Sequence, residues 1–151
     1  MNITDALQGV TRLFLDTAPI IYYVEKNPSY IARVKIIFDH VDSGSLIALT
    51  SPVTLAECLV TPYRTGSAQL QQDFFDLIVY GRHTVFAVSD QESARRAAEL
   101  RAHYNLTLTD ALQIAAALAA GCEAFLTNDN GLKRVTELRV LVVDDLSLPV
   151  E

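Results

Sequence analysis

Short apolar runs alternate with helix-period stretches along almost the whole chain, and this alternation restricts the fold more than any other feature. Leu13-Phe14-Leu15 is a compact apolar run ending at Asp16, as in a strand buried on both faces of a parallel sheet. Thr17-Ala18-Pro19 then opens a helix, with proline early, where its missing N–H costs nothing. Tyr30, Ile31, Val34, Ile37, Phe38 and Val41 share one face of an amphipathic helix closed by Ser43-Gly44. Residues 46–49 form the second strand, and Ser51-Pro52 starts a helix that carries Glu57 and ends near 63–66. Leu70, Phe74, Leu77 and Ile78 mark the next helix, and residues 84–88 a third strand. Ser89-Asp90-Gln91-Glu92 has the capping-box pattern ahead of a helix reaching about Tyr104. A helix over 107–120 stops at Gly121. A strand over 124–127, a short helix over 130–135 and a strand over 139–143 follow.

Strands alternating with helices imply βαβ units and a parallel sheet covered on both faces, the α/β class. Ligands of such folds bind beyond the carboxyl ends of the strands, so residues just after each strand matter most. The 151 residues fit one domain over 1–151, with its core over about 12–143. Half the residues are hydrophobic and a fifth are charged, which excludes a disordered chain. A net charge of −6 argues against coating nucleic acid by bulk charge. It leaves open a nuclease whose acids hold a metal ion. Cys58 and Cys122 stand in no ligand-like spacing and read as two reduced, buried thiols of a cytosolic chain. No basic segment opens the N-terminus, and the uncharged stretch 111–122 is too short to span a bilayer. The expectation is a soluble, cytoplasmic protein without a membrane partner.

Four acids stand out along the chain, two of them in positions that the fold singles out. Asp16 ends the first strand, Glu57 lies in the helix after the second, Asp110 opens the 107–120 helix, and Asp129 follows the 124–127 strand. Each has a plain structural role open to it. Asp16 and Asp129 could cap helices, Asp110 could complete a Thr-x-x-Asp cap with Thr107, and Glu57 could be a solvated helix residue. Together they are harder to explain in that way. Glu57 is flanked by Leu55, Ala56, Cys58, Leu59 and Val60, and Asp110 precedes an almost wholly apolar helix. Acids in apolar surroundings need partners, and no Lys or Arg is equally placed beside these four. A hard divalent cation suits such a set of carboxylate oxygens.

Phe14-Leu15-Asp16-Thr17 with Ile20-Ile21, Ser51 to Glu57, Thr109 to Ala117, and Phe125-Leu126-Thr127-Asn128-Asp129 together resemble the PIN-domain ribonucleases. The resemblance is closest to the VapC-type toxins of toxin–antitoxin pairs. It runs from about Arg12 to Val143 with every motif in order. It implies a three-layer α/β/α sandwich around a central, mostly parallel sheet of about five strands. It also implies a Mg²⁺- or Mn²⁺-dependent endoribonuclease whose acidic quartet is Asp16, Glu57, Asp110 and Asp129, with Thr127 as accessory hydroxyl. An RNA substrate, an antitoxin protein and a homodimer are the implied partners. The family often carries an aromatic residue soon after the last acid, where this chain has Asn130-Gly131-Leu132. That departure bears on local packing and substrate fit.

Arg64, Lys133 and Arg134 near the expected rim are candidates to hold RNA phosphate, or else solvated helix ends. Arg95, Arg96 and Arg101 read as a solvated helix face, and His40, His83 and His103 have no mutual spacing of catalytic or ligand type. Walker A, GxGxxG, HExxH and GxSxG motifs are missing from the sequence. The rival functions are a non-catalytic binding or scaffold module and a housekeeping RNA-processing nuclease without an antitoxin.

Overall fold

A computed structural model describes residues 1–150 of the chain. Its strands are β1 (Arg12–Leu15), β2 (Ile47–Thr50), β3 (Thr84–Phe86), β4 (Ala124–Thr127) and β5 (Arg139–Val142). They form one sheet in the order β3-β2-β1-β4-β5, with every neighbouring pair parallel. The helices are α1 (Ile3–Ala6), α2 (Thr17–Val24), α3 (Ile31–Asp42), α4 (Pro52–Thr65), α5 (Ala68–Ile78), α6 (Gln91–Tyr104) and α7 (Leu108–Ala119). Among the described residues, no helix is long and apolar enough to cross a membrane.

Successive strand residues point to opposite faces, so the apolar strands feed two cores. Leu13, Leu15, Ala48, Ala124 and Leu126 pack on one face with Ile20, Val34, Ile37, Phe38, Phe74 and Ile78 from α2, α3 and α5. Phe14, Leu49 and Phe125 pack on the other with Leu100 of α6 and Ile114 of α7. Phe14 and Phe125 stack across β1 and β4, ring centres 5.2 Å apart. The result is the expected three-layer arrangement.

The helix period at 30–41 is realised in α3, which buries Val34, Ile37, Phe38 and Val41. Three local expectations are corrected. The capping residue of α6 is Asp90, whose carboxylate accepts from the Ser93 N–H; Ser89 is not the cap. Strand β3 stops at Phe86 rather than 88, because as an edge strand it has only β2 beside it, and Val88 is left exposed. The short helix after β4 is a 3₁₀ turn over Asn130–Arg134, closed by i→i+3 bonds such as Leu132 N–H to Asp129 C=O. Helix α1 carries no signal in the sequence periodicity. It is too short for one, and it is held by buried Ile3 and by pairing of Asn2 with Ser147.

Candidate active site

Register brings the site together. Leu15 pairs with Leu126, and the Asp16 N–H extends that ladder to Leu126 C=O at 2.9 Å, which sets Asp16 beside Thr127. Phe14 pairs with Leu49, so Ser51, the capping residue of α4, ends its strand at the same level as Asp16. The first residues past β1, β2 and β4 therefore share one edge of the sheet, and α2, α4 and the 3₁₀ turn all start there.

Asp16 is only 8% exposed. Its Oδ1 accepts from the Thr17 N–H at 2.7 Å and its Oδ2 from the Thr127 hydroxyl at 2.7 Å. Burial pushes its pKa up to about 6; the Asp110 and Glu57 charges add to the rise, and the two hydrogen bonds oppose it. Thr127, fully buried, also accepts from the Asp129 N–H at 3.0 Å and so ties two of the acids together. Asp129 caps the 3₁₀ turn through the Gly131 N–H. Asp110 is half-buried on the first turn of α7, and its N–H is capped by the Thr107 hydroxyl. Its pKa is raised by burial first and then by the Asp129 and Glu57 charges, while Thr107 and Arg134 pull it down. The structural roles open to Asp16, Asp110 and Asp129 are thus partly real, since each joins a helix cap. They do not account for the mutual repulsion.

Two expectations about surroundings are corrected. Glu57 is exposed, because α4 turns Thr54, Cys58 and Pro62 inward and leaves Glu57 on the outer side of that face. Its carboxylate nonetheless reaches back to the site, where Oε1 accepts from the Thr17 hydroxyl at 2.7 Å and from Gln113 Nε2 at 2.9 Å. The second correction concerns Arg134, whose charge does reach Asp110, although its Nη2 donates to Asn105 C=O at 3.1 Å. None of the ion pairs among the described residues involves any of the four acids.

Thr17 and Gln113 had no place in the expected site. The available signal was that Gln113 is the sole polar side chain in residues 111–120. Of the expected phosphate contacts, Arg134 flanks the acids. Lys133 is engaged in an ion pair with Asp145. Arg64 lies seven residues after Glu57 on the same face of α4, about 10 Å along the axis. Both cysteines are free and buried, as expected. Burial raises the Cys58 thiol and pushes Cys122 up to about 12, so neither offers a thiolate near neutral pH.

The donor chemistry fits a hard divalent cation: carboxylate oxygens only, two of the acids raised in pKa by burial and further by their neighbours' charges, and no ion-pair partner. As the side chains stand, no three His, Cys, Asp or Glu groups among the described residues are close enough to ligate one ion. Repulsion between carboxylates acts in that direction.

The chain is similar in structure to VapBC2 from Rickettsia felis bound to a DNA fragment from its promoter. The match has a TM-score of 0.65, 18% identity and coverage of 87% of this chain and 98% of that one. FitAcB from Neisseria gonorrhoeae matches with a TM-score of 0.65 at 17% identity over 87% of this chain and 97% of that one. VapC20 from Mycobacterium tuberculosis, a sarcin–ricin loop cleaving toxin, matches with a TM-score of 0.62 at 14% identity over 75% and 86%. At these identities the likeness speaks for the fold. No curated protein matches the sequence. The PIN domain profile matches residues 13–138, most of the chain, and ends just before β5. The chain belongs to the PIN-domain family.

Proposed function

We propose that this protein is a Mg²⁺- or Mn²⁺-dependent endoribonuclease and the toxin of a toxin–antitoxin pair. The observation that carries this reading is the convergence of Asp16, Glu57, Asp110 and Asp129 at the carboxyl edge of the sheet, without an ion-pair partner. A buried carboxylate without an ion-pair partner is costly, and a cation bound beside Asp16 would offset that cost. Structural neighbours of the same fold support the biological setting: VapC20 is a toxin, and another is a toxin–antitoxin complex from Klebsiella pneumoniae.

Asp16, Glu57 and Asp110 are the proposed ligands, with Asp129 as a further ligand or as the group that orients the attacking water. A bound divalent ion would lower the pKa of that water and neutralise charge on the leaving oxygen. Thr127 holds the Asp16 carboxylate through its hydroxyl and the Asp129 backbone through its oxygen, so both acids keep one orientation. Arg134, whose charge reaches Asp110, is the proposed contact for a phosphate of the RNA strand, with Arg64 further along α4 as a second candidate. The hydrolysis adds water across a phosphodiester P–O bond and leaves one phosphate and one hydroxyl end.

The test is cleavage of a panel of structured RNAs with Mg²⁺, with Mn²⁺ and with EDTA. Cleavage is expected with metal and abolished by EDTA, and Asp16→Asn or Asp110→Asn should remove it while the circular dichroism spectrum is retained. Full cleavage by either variant would refute the assignment.

A further inference from the structure

Gln113 is the one polar side chain on the buried stretch of α7, packed in with Ala111, Ile114, Ala115, Ala116 and Ala117. It is fully buried, yet its Oε1 has no hydrogen-bond donor. A buried amide with an orphan oxygen costs stability that a leucine or methionine would not, so packing does not explain it. Its Nε2 is the informative end. It donates to Glu57 Oε1 at 2.9 Å and to Thr17 Oγ1 at 3.3 Å, while the Thr17 hydroxyl donates to the same Oε1 at 2.7 Å. The amide orientation follows from this contact, because Oε1 of Gln113 facing the carboxylate would set acceptor against acceptor. Two donors thus converge on one oxygen of Glu57, and no hydrogen bond among the described residues reaches Oε2.

We infer that Gln113 is a positioning residue: with Thr17 it fixes Glu57 through Oε1 and leaves Oε2 as the oxygen offered to a divalent cation. The inference rests on the proposed metal-binding role of Glu57 and extends it to the residues behind the acid. Glu57 is otherwise an exposed side chain with several free torsions on the outer side of α4. Without the buried amide it would spread over many rotamers, and ordering it would then oppose cation binding. Outer-shell partners of this kind affect metal affinity by about 10–100-fold.

The experiment is Mn²⁺ titration calorimetry on the full chain without RNA, together with thermal melts in EDTA. Gln113→Met, of similar volume, should raise the Mn²⁺ Kd about tenfold or more while the EDTA melt is unchanged or higher, since the orphan amide is gone. Thr17→Val should weaken Mn²⁺ in the same direction. Adding it to Gln113→Met should weaken binding by less than the product of the two effects, because both act through one oxygen. A Gln113→Met protein that folds and binds Mn²⁺ like the wild type would overturn the inference. So would a fall in melting temperature with unchanged Kd, the mark of a purely structural role. If Gln113→Met fails to fold, Gln113→Asn takes its place: its amide is one methylene short of Glu57, and wild-type Mn²⁺ affinity in that variant overturns the inference equally. Glu57→Gln separates the two levels of the proposal. Mn²⁺ binding by the wild type that Glu57→Gln abolishes and Gln113→Met leaves intact refutes Gln113 alone. No Mn²⁺ binding by the wild type refutes the metal site and the positioning role together.

Discussion

Asp16 carries both the chemistry and the cost of the site. Its native pKa of about 6 lies above the 3.8 of an ordinary aspartate, so between about pH 4 and 6 the folded protein binds more protons than the unfolded chain. Stability therefore falls as pH rises through that window, and the penalty is fully present at neutral pH. The shift corresponds to at most about 3 kcal/mol. Asp16→Asn keeps the size and removes the charge, but it serves the Thr127 and Thr17 donors less well than a carboxylate does. A net gain of about 1 kcal/mol is expected, which raises the EDTA melting temperature at pH 7 by roughly 2–4 °C. The gain should vanish near pH 4, where the wild-type carboxyl is protonated. Asp110→Asn should act in the same direction, since burial first and then the Asp129 and Glu57 charges raise Asp110 as well. Saturating Mn²⁺, which binds only the folded wild-type site, should close or reverse the gap. Melts of wild type and variants across pH, with EDTA and with Mn²⁺, check all of this. A variant that melts lower in EDTA at pH 7 would show the acid to be chiefly a helix cap.

The end of β4 is the element on which the site is assembled. Thr127 serves Asp16 and Asp129 together, and Asn128 donates to the Tyr22 hydroxyl at 3.1 Å while accepting from the Asp144 N–H at 2.9 Å. These bonds tie the turn after β4 to α2 on one side and to the end of β5 on the other. Thr127→Val is nearly isosteric but leaves the Asp129 N–H and an Asp16 oxygen without their partner. The expected cost is about 1–3 kcal/mol, read as a lower melting temperature. The same change should raise the Asp16 pKa further, because the hydroxyl now opposes that rise. Its melting curve should then lose stability more steeply between pH 4 and 7 than the wild type does. Equal slopes would show that the Thr127 hydroxyl does not stabilise the Asp16 charge.

For the whole molecule, the prediction follows from the proposed toxin function. Production of the protein without an antitoxin should arrest growth of a bacterial host, and Asp16→Asn should relieve the arrest at equal expression. Harmless production of a catalytically active wild type would favour a housekeeping nuclease. Val60 and Tyr63 leave apolar surface exposed on α4, a place for the homodimer or antitoxin contact that the family resemblance implies. Sedimentation of the isolated chain tests the dimer.

Periodicity and chain order determined the α/β class, the three layers and nearly every element, because buried strands and amphipathic helices leave patterns that need no partner to be seen. Asp16, Asp110 and Asp129 were visible for the same reason, each following a strand or opening a helix, whereas Glu57, inside α4, stood out only by its apolar neighbours. What the sequence could not carry was orientation. Glu57 looked enclosed by its apolar neighbours, yet the turn of α4 that faces the sheet is set by packing, and it left Glu57 outward. Edge position shortened β3, and Asp90 rather than Ser89 took the cap of α6. Thr17 and Gln113 meet Glu57 across 40 and 56 residues of chain, and only the docking of α2, α4 and α7 brings them within hydrogen-bonding distance. Local sequence specifies what each segment buries. Which polar groups then face one another depends on the register and rotation of elements packed from distant parts of the chain.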